Sequence, residues 1–264
     1  MELNNKILVI GDSCRDVFIY CDALRLCPDV PVPVLNIKNE VDNPGMAKNV
    51  HLNIRSIYNY CDVLTNENWY TITKTRYVDE KSNHTFFRVD TPHDIRRIDL
   101  SKINYDYGTI VISDYDRGFL HEDDIEEICS NHSNVFIDTK KILGSWASNA
   151  AFIKINDYEY KRSKEFCESM NVCDKIIRTR GDQGCEYQRK NYSVDKIFVQ
   201  DVSGAGDSFL AGLVVKYVET HSIEESIVFA NECASKVVKQ RGVTVILLFL
   251  QVLMDLLEKT FLKN

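Results

Sequence analysis

The sequence predicts an α/β fold with a mostly parallel central sheet, flanking helices and a small projecting β-sheet that forms a lid. Three observations support this: apolar runs that recur along the chain, helical patterns between them, and segments of alternating polarity that break the pattern. Buried parallel strands are almost continuously apolar, and the intervening helices provide the crossovers. Because 264 residues suit one such unit, we expect a single domain over 1–264.

The predicted core strands are five apolar runs rich in β-branched residues. They span 6–12, 108–114, 134–140, 151–156 and 175–181. Between the second and third, residues 121–131 form an amphipathic helix with Ile125 and Ile128 on one face. Ligands of open parallel sheets bind beyond the carboxyl ends of the strands. We therefore expect a polar site there, formed by Asp12, Asp114, Asp138, Asn156 and Arg180.

Other segments are too polar on alternate positions to be central parallel strands. They are 31–38 and the pair 70–78 and 84–90. We interpret them as exposed strands and a hairpin, with the lid strands lying within about 13–40 and 70–90.

The composition argues against several classes of partner and site. The formal net charge is −7 with dispersed basic residues, which does not favour nucleic acid or an anionic membrane surface. Nine cysteines without a Cys-x-x-Cys pair indicate reduced thiols rather than a zinc site or a disulfide framework. No signal-like start is apparent, and the apolar segment 243–257 is interrupted by Gln251 and Asp255. We expect a cytoplasmic protein with a small-molecule ligand.

A glycine-rich turn followed by an acid precedes the apolar run that ends at residue 215. The turn consists of Gly204, Ala205 and Gly206. A helix is predicted to begin near Asp207 or Ser208, so converging N–H groups and the helix dipole would form an anion hole. A Walker-type loop would carry lysine where this chain has Asp207. Two interpretations stay open: Asp207 caps the helix, or it takes a proton from a hydroxyl that attacks a terminal phosphate.

Beyond this turn, the chain resembles the ribokinase-like (PfkB) carbohydrate kinases. DVSGAGDSFLAG (201–212) is similar to their C-terminal signature, and VISDYDRG, IDTK, INDYE and RTRGDQG occur in the family's order. Residues 7–20, 26–35 and 43–54 resemble the heptose-7-phosphate kinase branch. The resemblance implies a ribokinase-like fold, ATP and Mg²⁺ as cofactors, and phosphorylation of a sugar or sugar phosphate, with a heptose 7-phosphate as first expectation. The alternatives are a kinase for another sugar or nucleoside, and a non-catalytic sugar- or nucleotide-binding relative.

The resemblance also implies a role for each motif. Asp207 would be the catalytic base beside the 204–206 anion hole. The sugar would be held by Asp12, Asp16, Gly45 and Asn49, and its phosphate by Arg25 and Arg88. The nucleotide would meet Asn156, Thr179, Arg180, Gly181, Gly184 and Asn231. Asn231 equally fits an ordinary position on a surface helix. Magnesium-bound water would be ordered by Glu159 and Asn156, which also fit a helix cap.

Two features depart from the family pattern. Met46 stands where the family has the second glycine of its sugar loop, which leaves the sugar unidentified. The stretch 56–70 is short by about one βα unit. An uncovered strand edge favours pairing with another chain, so we expect a homodimer through the lid strands.

Overall fold

The fold is described here from a computed structural model covering residues 5–92, 94–168 and 172–246. The strands are β1 (Ile7–Ile10), β2 (Ser13–Leu26), β3 (Pro33–Met46), β4 (Cys61–Leu64), β5 (Thr73–Asp79), β6 (Thr85–Asp90), β7 (Thr109–Asp114), β8 (Val135–Thr139), β9 (Phe152–Asn156), β10 (Ile176–Thr179), β11 (Cys185–Tyr187) and β12 (Lys190–Tyr192). The helices are α1 (Ala47–Ile57), α2 (Glu122–Asn131), α3 (Asp157–Arg162), α4 (Lys164–Glu168), α5 (Ala205–Thr220) and α6 (Ile223–Val237).

The core is an eight-stranded sheet in the order β12-β11-β10-β9-β8-β7-β1-β4. Strands from β10 to β4 pair in parallel, and β11 and β12 add an antiparallel edge. All five predicted core strands and the helix predicted at 121–131 are present, so the prediction of a mostly parallel sheet is confirmed.

Strand β1 explains why the apolar runs are continuous. Ile7 and Val9 pack into the cluster that contains α1, α5 and α6, whereas Leu8 and Ile10 pack with α2 on the other face. Because successive side chains of a strand point to opposite faces, a strand covered on both sides must be apolar throughout. This sandwich fixes the carboxyl ends of β1, β7, β8, β9 and β10 at one edge of the sheet.

The lid is a separate four-stranded sheet in the order β3-β2-β5-β6. Strand β2 pairs in parallel with β5, and the other two pairings are antiparallel. The predicted limits of the lid need one correction, because β3 continues to Met46 and the lid strands therefore span 13–46 and 73–90. Long antiparallel pairing with β2 extends β3, so the predicted sugar loop around Gly45 is the end of a strand.

Two further expectations concern thiols and membrane segments. All nine cysteines are unpaired, as predicted. Within the described ranges, no helix has the length and apolar character needed to cross a bilayer. Most of the apolar segment predicted at 243–257 lies outside the described residues.

The segment between α1 and the lid is as short as the sequence suggested. It contains β4 and one turn of 3₁₀ helix at Trp69–Thr71 before β5 begins. Strand β4 has four residues and forms one edge of the core sheet.

Candidate active site

Helix α5 begins earlier than the sequence indicated. Its first residue is Ala205, and the N-cap is Gly204 in the left-handed region with φ 79°. Glycine adopts this conformation without the steric cost that a Cβ imposes. The helix therefore starts two residues before Asp207, which lies in its first turn.

The carboxylate of Asp207 is held by two side chains from other elements. Its Oδ2 accepts a hydrogen bond from Asn49 Nδ2 at 2.7 Å, and its Oδ1 accepts one from the Tyr115 hydroxyl at 2.6 Å. Asn49 lies on α1 and Tyr115 directly follows β7. Gly204 is the N-cap of α5, so the interpretation of Asp207 as its N-cap is wrong.

Burial governs the protonation of Asp207 and Tyr115. Asp207 is 6% exposed. Burial raises the pKa of Asp207 above its ordinary value, although the bonds from Tyr115 and Asn49 oppose the shift. Burial and the nearby Asp207 charge raise the pKa of Tyr115 well above its ordinary value. The phenol is therefore protonated and donates, while the carboxyl group is a stronger base than an exposed aspartate.

A cavity of about 840 Å³ opens beside Asp207. It lies over the ends of the core strands, where open α/β sheets bind their ligands. Five of the six residues predicted to meet the nucleotide line it: Asn156, Thr179, Gly181, Gly184 and Asn231. The sixth, Arg180, does not, because its guanidinium pairs with Glu186 at 2.8 Å. Asn231 is buried and donates to the Tyr192 carbonyl, so it is not a surface helix residue.

Not every backbone N–H group of the predicted anion hole is free to bind an anion. The Ala205 N–H donates to the Val202 carbonyl at 3.2 Å and is therefore occupied. Within the described chain, the N–H groups of Gly206 and Asp207 have no backbone acceptor. A Cβ added to Gly206 would lie 3.1 Å from Lys154 Nζ, which puts an ammonium group beside these N–H groups. Helix N-termini with free N–H groups attract anions.

Two lysines that the sequence interpretation missed line the cavity. Lys154 pairs with Asp138 at 2.6 Å, and Lys140 pairs with Glu159. Burial alone would raise the pKa of Asp138, but the two ammonium groups bring it below its ordinary value. The signal was available, since Lys154 is a charged residue inside an apolar strand and Lys140 directly follows β8, two residues after Asp138. The sequence also gave no role to Tyr115.

Asn156 and Glu159 form the helix cap that the sequence allowed alongside a metal role. Asn156 Oδ1 accepts from the N–H groups of Tyr158 and Glu159, both at 2.9 Å, and Glu159 accepts from the Asn156 N–H at 2.8 Å. Asp138 Oδ1, in contrast, is buried without a hydrogen-bond partner among the described residues. Across residues 5–92, 94–168 and 172–246, no group of three or more His, Cys, Asp or Glu side chains is placed to hold a metal ion.

Asp12 is engaged in the turn after β7. It is fully buried, and its two oxygens accept from the N–H groups of Tyr115 and Arg117, both at 2.7 Å. Burial and the neighbouring Asp114 raise the pKa of Asp12 to about 6. This geometry makes Asp12 an anchor for the turn that carries Tyr115, and a sugar contact from it stays a prediction.

Asp16 and Gly45 meet at the base of the lid. Asp16 pairs with Arg76 at 2.6 Å, and a Cβ on Gly45 would come within 2.2 Å of Asp16 Oδ2. A glycine is therefore needed for this close approach. Met46, which follows, has φ 62° and ψ −132°, a conformation normally left to glycine. The backbone at Met46 therefore has a conformation that suits the glycine expected there from the family resemblance.

Neither of the two arginines predicted to bind a sugar phosphate forms an ion pair with Asp16, although Arg88 lies opposite Arg76 in the β5–β6 pairing. Arg25 is exposed near the end of β2, and Arg88 makes two hydrogen bonds to Asp90, at 2.7 and 3.0 Å. Lys74 on β5 reaches Tyr115, because its Nζ lies 5.1 Å from the centre of the Tyr115 ring. Its polar contact is the Met46 sulfur at 3.1 Å. Among the described residues, no carboxylate forms an ion pair with Lys74.

Comparison with known proteins supports this geometry at the level of family and fold. The profile described as pfkB family carbohydrate kinase matches residues 114–248. The bifunctional protein HldE of Helicobacter pylori is 28% identical over 294 aligned positions, covering 90% of this chain and 63% of the relative. The chain thus spans less than two thirds of that relative, and an alignment longer than the chain means that the relative has segments absent here.

Solved structures share the fold. A ribokinase from Thermotoga maritima matches with a TM-score of 0.69 and 17% identity, covering 90% of this chain and 94% of its own. Arabidopsis thaliana ribokinase complexed with ribose and ATP matches with a TM-score of 0.62 and 15% identity, covering 91% and 94%. The predicted ribokinase-like fold is confirmed.

Proposed function

The chain belongs to the pfkB family of carbohydrate kinases, and we propose that it transfers the terminal phosphoryl group of ATP to a sugar hydroxyl with Asp207 as general base. The observation that carries this proposal is the buried Asp207 carboxylate. It lies between the 840 Å³ cavity and the base of the lid, and both its oxygens are held by neighbouring elements. A carboxyl group with a raised pKa in a protected cleft is suited to proton abstraction.

In the proposed reaction, the acceptor hydroxyl gives its proton to Asp207 as its oxygen forms a bond to the terminal phosphorus. The bond from that phosphorus to the bridging oxygen breaks, and ADP leaves. The N–H groups of Gly206 and Asp207 and the ammonium groups of Lys154 and Lys140 supply positive charge for the transferred group. Such fixed donors stabilise charge that develops in the transition state.

The nucleotide is proposed to bind in the large cavity. Its lining combines the polar residues predicted from the sequence with apolar side chains of the 194–202 segment, including Ile197, Val199 and Val202. A mainly apolar cleft with a few placed polar groups is the usual form of a cofactor site. The ATP in the complex of the Arabidopsis ribokinase, which shares this fold, supports the same choice of nucleotide.

The acids beside this cavity fit a magnesium ion bound with the nucleotide. Magnesium prefers oxygen ligands and keeps several waters when it accompanies phosphates. Asp138 Oδ1 has no hydrogen-bond partner among the described residues, and Glu159 with Asn156 would contact the ion through water. The ion would offset the negative charge of the phosphates.

For the sugar, we propose a phosphorylated substrate, with a heptose 7-phosphate as the first candidate. Lys74 supports this, because a partly buried ammonium group without a carboxylate partner in the described chain is satisfied by an anionic ligand. The resemblance to the heptose-7-phosphate kinase branch supports the seven-carbon skeleton. Another sugar or nucleoside is the second candidate, since Met46 replaces a glycine of the sugar loop.

Release of ADP in the presence of a sugar panel tests this function. The panel pairs neutral sugars with their phosphates, including mannose and mannose 6-phosphate, and a heptose 7-phosphate. ADP release that depends on one of these sugars is the expected result. No sugar-dependent release, together with thermal stabilisation by ATP or a sugar, would instead indicate the non-catalytic binding relative.

We further propose that the protein forms a homodimer through its lid strands. Large apolar side chains are exposed on them: Leu24 (73%), Leu26 (62%), Ile37 (62%) and Phe87 (48%). Strand β3 is an edge of its sheet and spans 14 residues. Apolar patches and long open edges are typical of surfaces that pair. Light scattering at micromolar concentration should show a dimer, and Ile37→Glu should shift it toward monomer, whereas a monomeric wild type would contradict the proposal.

A further inference from the structure

Tyr115 connects the base to both sides of the active site. Its hydroxyl donates to Asp207 Oδ1 at 2.6 Å. Its ring centre lies 5.1 Å from Lys74 Nζ of the lid and 5.4 Å from Lys140 Nζ of the large cavity. The ring is therefore held by cation–π contacts from the lid and from the nucleotide side.

Each oxygen of the Asp207 carboxylate already accepts one hydrogen bond from the protein. Asn49 occupies Oδ2, and Tyr115 occupies Oδ1. A sugar hydroxyl must reach one of these oxygens before it can give up its proton. Since the phenol is a hydroxyl donor like the sugar, the Tyr115 bond is the one that a substrate hydroxyl can replace with the same chemistry.

We propose that Tyr115 is a positioning residue that fills the acceptor place on Asp207 until a sugar hydroxyl takes it, and thereby limits phosphoryl transfer to water. The inference rests on the proposed kinase function. Without the phenol, water can occupy Oδ1. It would give a proton to Asp207 while its oxygen bonds to the terminal phosphorus of ATP, the bond to the bridging oxygen breaks, and ADP and inorganic phosphate are released.

The same bond affects the titration of the base. Asp207 faces Tyr115 after β7, Asp138 on β8, Lys140 after β8 and Lys154 on β9, besides Asn49 on α1. The Tyr115 bond lowers the pKa of Asp207, so its removal should raise that pKa further. The base would then be protonated at higher pH, and the acidic limb of the rate profile should move to higher pH.

The test is Tyr115→Phe, assayed for ATP hydrolysis without sugar and for its pH profile. General bases contribute about 10²–10⁴-fold, and a loosely placed water should recover only a fraction of that factor, so we expect hydrolysis to rise roughly tenfold or more. The double variant Tyr115→Phe/Asp207→Asn should lose this gain. Tyr107→Phe is the matched control, because its hydroxyl donates to Asp62 at 2.7 Å at the opposite end of β7.

Melting temperature and ADP binding verify that the variants fold. Tyr115→His, which keeps a ring N–H donor, is the second variant and should hydrolyse less ATP than Tyr115→Phe. If the wild type phosphorylates a sugar while both variants hydrolyse ATP at the wild-type rate with an unmoved acidic limb, the inference is overturned and the kinase function stands. If no sugar is phosphorylated, the proposed function fails and the inference, which rests on it, is overturned with it.

Discussion

The large cavity and the base of the lid meet at Tyr115 and differ in how their cations are balanced. In the cavity, Lys154 pairs with Asp138 at 2.6 Å and Lys140 pairs with Glu159. Under the lid, Lys74 has the Met46 sulfur as its polar contact, and the described residues provide it with no carboxylate. Both cavity lysines thus have a carboxylate partner, whereas Lys74 has none among the described residues.

The difference separates two ways of building a binding site. Paired charges are fixed before the ligand arrives, and such preorganised groups need little rearrangement during reaction. An unpaired ammonium group keeps its desolvation cost until an anion arrives, so it discriminates between ligands with and without a negative charge. We therefore expect catalysis to depend on the balanced side and substrate choice to depend on the lid side.

Removal of the base is expected to give the largest effect. Asp207→Asn should lower kcat by about 10²-fold or more, because an amide cannot take a proton from the acceptor hydroxyl. Folding and ATP binding should be retained, since the amide has nearly the same shape. Steady-state kinetics and a melting curve measure both. Asp62→Asn, which changes the remote Tyr107 pair, is the control, and near-full turnover of Asp207→Asn would refute the base assignment.

The next largest effect is expected at Lys74, under the lid. Lys74→Met should weaken the binding of a sugar phosphate by about tenfold or more, since charge-assisted hydrogen bonds contribute roughly 1.5–3 kcal/mol. The binding of the corresponding neutral sugar should weaken much less. The KM for ATP should change little. Lys38→Met is the matched control, because Lys38 pairs with Asp22 at 3.3 Å on the same lid.

Arg25→Ala and Arg88→Ala complete that comparison. If Lys74 is the main contact of the sugar phosphate under the lid, both arginine variants should bind the sugar phosphate almost as the wild type does. A tenfold loss in either one, with Lys74→Met unaffected, would return the phosphate to the positions predicted from the sequence. Competition by inorganic phosphate provides an independent readout of the same site.

The smallest effect concerns Met46, whose side chain is buried although its backbone has φ 62°. Met46→Gly and Met46→Ala both lose that side chain, but only glycine relieves the left-handed strain. Relief of about 1–2 kcal/mol is partly offset by the extra backbone entropy of glycine, about 0.5–1 kcal/mol. Met46→Gly should therefore be about 1 kcal/mol more stable than Met46→Ala by urea unfolding. Equal stabilities would mean that the strain is released elsewhere.

The pH dependence of wild-type turnover gives a final check on Asp207 as the general base. The base must be ionised, and burial raises the pKa of Asp207 above its ordinary value of 3.8. Activity should therefore be lost as the pH falls through that raised pKa, at a higher pH than an exposed aspartate would give. A kcat profile that stays flat down to pH 4 would contradict this assignment.

The sequence by itself determined the core strands, the helix at 121–131 and the glycine-rich turn before Asp207. These features are local, since periodicity, turn residues and burial on both faces leave their pattern in neighbouring positions. The order of motifs also predicted the family. Of the six residues predicted from these motifs to meet the nucleotide, five line the cavity.

The tertiary structure decided what Asp207 touches. Its partners Asn49 and Tyr115 are 158 and 92 residues away in the chain, and no local pattern connects such positions. The same holds for Lys74, which reaches Tyr115 because β5 pairs with β2 in the lid. Whether a charge is balanced depends on side chains that meet through folding, so the sequence could single out Asp207 but not the groups that hold it.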